Sequence, residues 1–330
     1  MEASKKLAQE NGNQASMLLG ELTGDELLVQ NGNQAGFAMG ELTDDELLAQ
    51  NGNQAGVGVA EYFDELDKRP KILTFTANED GSSVGFIVND RGYEPPEDYS
   101  KPSLQYSTDG GKTWQDYDLQ ISDAIDDATT VALDKGESVM FKGVNENLAY
   151  YLEDEGDWLV TRCCIEGNVA ASGDVTSLLN GVGGDIIIPS GCYQSMFEGC
   201  TGLTQAPTLP ATTLADNCYS GMFYGCTGLT SAPVLPATTL ASSCYTNMFN
   251  GCTNITSHDV ATLNNSLGIF ANNSSCVSLA IHAKTPPTIA STTITGLKAD
   301  CAIYVPAASV DAYKAAQYWS ARASYIQAMP

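Results

Sequence analysis

The residues with chemistry to offer in this chain of 330 are ten cysteines, two histidines and forty carboxylates. Cysteine with histidine can ligate zinc, paired cysteines can form disulfides, and histidine beside a nucleophile can run acid–base catalysis. Spacing decides among these. Cys192 and Cys200, Cys218 and Cys226, and Cys244 and Cys252 stand eight apart, wider than the short Cys-x-x-Cys loops of zinc sites, with only His258 and His282 to help. Neither histidine has a nucleophile-and-base context, so no catalytic, cofactor or metal residue is expected and the chain does not read as an enzyme. The run Asp123-Ala124-Ile125-Asp126-Asp127 lacks the spaced oxygen ligands of a calcium loop and is expected to be a solvated turn.

The six cysteines named above sit at equivalent points of a 26-residue repeat. Residues 192–217 and 218–243 agree at 19 of 26 positions, and Cys244 to Thr253 begins a weaker third copy. Such units stack and bury their apolar side chains against their neighbours. Two columns of cysteine inside the stack are therefore expected, with disulfides in oxidising surroundings and then zinc as the alternatives. Cys163 and Cys164 are adjacent, so a strand would point them to opposite faces.

Within a unit, Leu214, Cys218, Met222 and Cys226 are spaced by four, with Tyr219 and Phe223 alongside; this predicts a short helix stopped by Gly225. Pro233 and Pro236 make the following segment extended. The pairs Tyr193 and Phe197, Tyr219 and Phe223, and Tyr245 and Phe249 are expected in the core. Where copies differ, the side chains are expected to face outward, as a contact surface or as merely unconstrained surface: Gln194, Ser220 and Thr246; Ser195, Gly221 and Asn247; Glu198, Tyr224 and Asn250.

A second repeat, of 20 residues, occupies the N-terminus. Asn11-Gly12-Asn13-Gln14 returns as Asn31-Gly32-Asn33-Gln34 and Asn51-Gly52-Asn53-Gln54, and these twelve residues are the candidate anchoring positions. Thr23 with Glu26, and Thr43 with Glu46, fit capping boxes opening short helices that Gly32 and Gly52 would end. A two-turn helix is unstable alone, so the units need a partner, either each other or a foreign surface. Three linked copies of a docking motif gain avidity, and a stalk or loop array with no binding role is the alternative.

From about Arg69 to Cys164 the period becomes two. Runs at Lys71–Ala77, Ser83–Val88, Thr129–Leu133 and Glu137–Lys142 read as short strands, in a region the size of an immunoglobulin-like sandwich. Ser107-Thr108-Asp109-Gly110-Gly111-Lys112-Thr113-Trp114 resembles the Asp-box of sialidases. In that family the box is a hairpin that folds a propeller blade, remote from catalysis. The carboxylate-clamping arginines of a sialidase are missing here, since Arg69, Arg91, Arg162 and Arg322 are scattered, so a hairpin alone is expected.

Formal charge is −25, which disfavours nucleic acid and anionic membranes as partners. The first ten residues carry two lysines but no apolar stretch behind them, so they do not read as an export signal. Residues 171–330 hold 7 of the 40 acids and 4 of the 15 bases. An acidic front joined to a nearly neutral rear suggests at least two structural regimes. Together with the two repeats, the strand runs and the resemblance carried by the 26-residue unit, the chain is expected to be mainly β and multidomain: an arm at 1–68, an Ig-like sandwich at 69–165, and a repeat array at 166–330 closed by a helical cap.

The unit Cys-Tyr-x-x-Met-Phe-x-Gly-Cys-Thr-x-Leu-Thr-x-Ala-Pro-x-Leu-Pro-Ala-Thr-Thr-Leu, with Thr285-Pro286-Pro287 and Ile303 to Lys314 near the end, resembles the BspA-type leucine-rich repeat proteins of gut Bacteroidales. The resemblance spans about 173–329; the third unit departs from it, with Asp259 and Thr262 in place of the prolines. It implies a solenoid and an adhesive role toward a host surface protein or glycan. Phages of these bacteria, crAss-like phages among them, borrow the same repeats. With no export signal read at the start, the resemblance favours a virion protein assembled in the host cytoplasm. It would be a head fibre or capsid decoration, held by its arm to capsid or other virion proteins, and a homo-oligomer, trimer before dimer. A bacterial cell-surface adhesin is the alternative.

Overall fold

The computed structural model describes residues 71–330 and, before them, the backbone of five short strands. It is mainly β, with about 30% strand and 8% helix. The chain divides into two units, Met1–Arg69 and Pro70–Pro330.

In the first unit, β1 (Leu7–Ala8), β3 (Leu27–Gln30) and β5 (Leu47–Gln50) form one parallel sheet, and β2 (Ala15–Leu18) and β4 (Ala35–Ala38) another. Every pairing joins residues 20 apart, such as Leu28 with Leu48 and Ala15 with Ala35. This corrects the helices expected after Thr23 and Thr43, because 27–30 and 47–50 are strands. Equivalent segments of near-identical copies can lie side by side and satisfy each other's backbone, which a two-turn helix cannot do for itself. The pairing of Leu7 with Leu27 adds a partial copy ahead of Asn11. Candidate anchoring residues 11–14, 31–34 and 51–54 lie outside the described residues.

The second unit begins with two packed sheets. One has the order β16-β15-β6-β12-β8-β9, built from β6 (Leu73–Ala77), β8 (Leu104–Ser107), β9 (Gln115–Tyr117), β12 (Ser138–Gly143), β15 (Val169–Ser172) and β16 (Leu203–Gln205). The other runs β10-β7-β14-β13 with β11 also on β7, from β7 (Ser82–Asn89), β10 (Gln120–Ile121), β11 (Thr129–Leu133), β13 (Ala149–Leu152) and β14 (Asp157–Glu166). Alternation in β12, whose Val139 and Phe141 are fully buried, turns one face to the core. Phe86 of one sheet meets Phe75 and Phe141 of the other edge to face, at 6.2 and 5.0 Å.

The expected boundary between 165 and 166 falls inside β14, and no separation of cores occurs there. β15 pairs antiparallel with β6 and parallel with β16, where Val169 lies opposite Leu203, so the first repeat is hydrogen-bonded to the sheet edge. Phe197 of that repeat lies 6.3 Å from Phe75, and a single cluster of buried side chains runs from Leu73 to Ile326.

Beyond, the chain rises in tiers. Parallel bridges join Ile188 to Leu214, Thr213 to Thr239 and Leu235 to Val260, and the tiers end in a parallel sheet of β17 (Ser257–Val260), β18 (Ser278–Ile281), β19 (Ala302–Val305) and β20 (Ile326–Ala328). A four-residue helix α1 (Ser177–Asn180) precedes the tiers, and α2 (Val310–Ala315) lies against their far end. There Tyr313 and Trp319 pack edge to face at 5.2 Å, and the Trp319 indole N–H donates to Pro287 O at 3.0 Å.

Candidate contact surface

Each tier contributes a run of tight turns where a helix is predicted from the spacing of four. Backbone N–H groups alternate in destination. Those of Gln194, Met196 and Glu198 donate three residues back, to Gly191, Tyr193 and Ser195. Those of Tyr193, Phe197 and Gly199 donate instead to Cys218, Met222 and Tyr224 of the next tier, at 2.8–2.9 Å. The second tier repeats the scheme onto the third, Phe223 donating to Met248 O at 2.9 Å.

The turns need a left-handed residue every fourth position. Gly191, Ser195 and Gly199; Asn217, Gly221 and Gly225; and Ser243, Asn247 and Gly251 all have positive φ. Glycine carries no Cβ to clash there, and asparagine tolerates the conformation better than most residues. A period of four from left-handed turns is close enough to 3.6 to imitate a helical stripe.

The interior is made of columns. Phe197, Phe223 and Phe249 stack with planes within 4° and centroids 5.4 and 5.7 Å apart, and Tyr193, Tyr219 and Tyr245 stack beside them. Cys226 and Cys252 donate their thiols to Phe197 O and Phe223 O, each at 2.9 Å. All ten cysteines are buried and unpaired. Burial pushes the thiols of Cys192 and Cys252 up to about 12, which keeps them protonated and unreactive. Cys163 lies in the common core, whereas the thiol of Cys164 meets Ile125 O at 3.8 Å.

The nine candidate contact residues separate into three columns. In the column Glu198, Tyr224 and Asn250, Tyr224 is 44% exposed and the other two are half-buried; Asn250 Oδ1 accepts from the amide of Asn272 at 2.9 Å, which extends the column by one tier. Gln194, Ser220 and Thr246 are half-buried. The third column corrects the expectation at Ser195, which is buried at 7% exposure. Its hydroxyl lies beneath Gly221, where an added Cβ would come within 3.3 Å of it. Ser195, Gly221 and Asn247 vary among small left-handed formers because the turn selects them.

The Asp-box segment is a hairpin between β8 and β9. Asp109 accepts from the Thr113 hydroxyl at 2.6 Å, the Thr113 N–H at 2.9 Å and the Ser107 hydroxyl at 2.7 Å, and these bonds hold its carboxyl well below the usual range. Trp114 donates to Gly111 O at 3.0 Å, with the Lys142 ammonium 3.9 Å over its ring. The acidic run is a single tight turn at Ile125–Asp127, where Asp127 accepts from Ser122 Oγ at 2.5 Å. Among the described residues no group of three His, Cys, Asp or Glu side chains is placed to hold a metal, and no helix is long and apolar enough to cross a membrane.

Compared with known proteins, the chain matches no family model, and no curated protein matches it.

Proposed function

We propose that this chain is a structural protein of a phage virion, a head fibre or capsid decoration. Its N-terminal repeats attach to capsid or another virion component, and its tiers present an adhesive surface to a host protein or glycan. In this reading the tiers are a BspA-type leucine-rich repeat solenoid with a helical cap, the two sheets before them are an Ig-like spacer, and the particle carries a closed homo-oligomer, a trimer first. The observation that carries it is the column Glu198, Tyr224, Asn250, exposed at Tyr224 and half-buried at the other two, over an interior closed by its own neighbours, a surface suited to contact. Deleting residues 1–60 in the phage tests the attachment: particles lacking the protein are expected, and particles carrying it at full occupancy overturn the reading. The same column also suits a bacterial adhesin. Finding the protein on intact phage-free cells would select that alternative.

A further inference from the structure

Where the tiers meet the cap, two thiols lie against each other as well as against backbone carbonyls, Cys276 meeting Ser278 O at 3.2 Å and Cys301 meeting Ala302 O at 3.6 Å. Cys276 stands two residues before β18 and Cys301 one residue before β19. These strands are parallel neighbours, with Ser278 opposite Ala302 and the Ala302 N–H donating to Val277 O at 2.9 Å. The sulfurs are 3.8 Å apart and both side chains are fully buried. Continuing that register sets Cys301 opposite Val277, so Cys276 and Cys301 are diagonal neighbours just ahead of strands that run about 4.8 Å apart. Joining the sulfurs requires them to close by roughly 1.8 Å, within the reach of side-chain rotation.

We propose that Cys276 and Cys301 are a modification site, forming a disulfide when the folded protein meets an oxidant of the peroxide class and so stapling β18 to β19 beneath the C-terminal cap. The inference is independent of the virion reading. The hydrogen bond with Cys276 pulls the Cys301 thiol below its ordinary pKa, burial opposes this, and the nearby Arg322 guanidinium adds to the pull, which makes Cys301 the attacking sulfur. Its thiolate attacks one oxygen of hydrogen peroxide, the O–O bond breaks, and the departing hydroxide takes a proton to become water. The Cys276 sulfur, giving up its proton, then attacks the sulfenic sulfur; the S–S bond forms, the S–O bond breaks, and a second water leaves. Two thiols lose two electrons and one peroxide becomes two waters. Hydrogen peroxide is small and uncharged, so it needs far less opening of the buried site than a disulfide reagent.

The test treats the purified full chain with stoichiometric hydrogen peroxide, blocks remaining thiols, and combines intact mass, peptide mapping and thermal unfolding. The expected result is the loss of two hydrogens, one cross-link joining the Cys276 and Cys301 peptides, and a midpoint raised by about 5–10 °C that reduction reverses, since the bridge closes a loop between residues 25 apart. Cys276→Ser is expected to abolish the cross-link. A cross-link between other cysteines, sulfonic acid at Cys301 with no bridge, or a bridge that leaves the midpoint unchanged overturns the proposal. The map of the wild-type chain decides even if the serine variant fails to fold.

Discussion

His258 and Asn273 form a buried polar pair inside the apolar stack, bonded through one imidazole nitrogen while Nδ1 has no hydrogen-bond partner. The imidazole Nε2–H donates to Asn273 Oδ1 at 2.8 Å, and Asn273 Nδ2 donates to Phe249 O at 2.6 Å. That second bond stands where Cys226 and Cys252 place their thiols on Phe197 O and Phe223 O, so an amide continues the thiol column. Phe249 and Phe270 lie 4.9 and 4.5 Å from the imidazole.

Burial lowers the His258 pKa to about 4, with the Asn273 bond opposing. The unfolded chain therefore binds the proton more readily, and the stability His258 contributes is present above about pH 6.5 and lost as pH falls toward 4. Against His258→Ala, the wild-type advantage in unfolding free energy is expected to shrink by about 3 kcal/mol between pH 7.5 and 4. Denaturant unfolding at several pH values reads this, and a pH-independent difference would count against a neutral buried imidazole.

Phe223 is fully buried between two parallel rings. Phe223→Ala is expected to cost about 3–5 kcal/mol, seen as a lower denaturant midpoint, because the flanking tiers are tied by backbone bonds and cannot collapse into the cavity.

At Gly251 φ is +80°, while an added Cβ would make only ordinary contact, 3.5 Å from Gly225 Cα. Gly251→Ala is expected to lose about 1 kcal/mol through backbone strain alone, and Gly251→Asn less. Chemical denaturation of both variants checks the order, and equal losses would point to crowding instead of strain.

Asp109→Asn removes the carboxylate that organises the hairpin. A lower thermal midpoint and a more mobile Trp114, read by fluorescence anisotropy, are expected. Since the native carboxyl is held below its ordinary pKa, its contribution is present above about pH 4 and declines below it, so the gap between wild type and variant narrows in acid.

Replacing the exposed Tyr224 by alanine is expected to leave stability within about 0.5 kcal/mol. On the proposed adhesive role, binding of the protein to host cells, measured by flow cytometry, is expected to fall. Unchanged binding would remove Tyr224 from the contact surface.

The 26-residue period, the buried cysteines and the aromatic columns were legible because copies that stack must keep the same inward side chains. The turn structure was misread as helix, although the signal was present: Gly, Asn or Ser recurs at Ser195, Gly199, Asn217, Gly221, Gly225 and Asn247, which a helix would not select. Variation among copies marked Tyr224, which is exposed, and Glu198 and Asn250, which are half-buried, yet it also marked the buried Ser195, since a position limited to small left-handed formers still varies. His258 was legible only as an isolated histidine. Its partner Asn273 stands 21 residues after Cys252 instead of 26, so the shortened tier hid the equivalence.

The alternation of backbone bonds has an evolutionary corollary. Tyr193, Phe197 and Gly199 each donate to a carbonyl 25 residues ahead, and Tyr219, Phe223 and Gly225 do the same. An in-frame duplication or deletion of 26 codons at this point would therefore preserve every junction. Unequal recombination between the near-identical copies could lengthen or shorten the array one rung at a time, leaving the cap and the sheets at either end undisturbed.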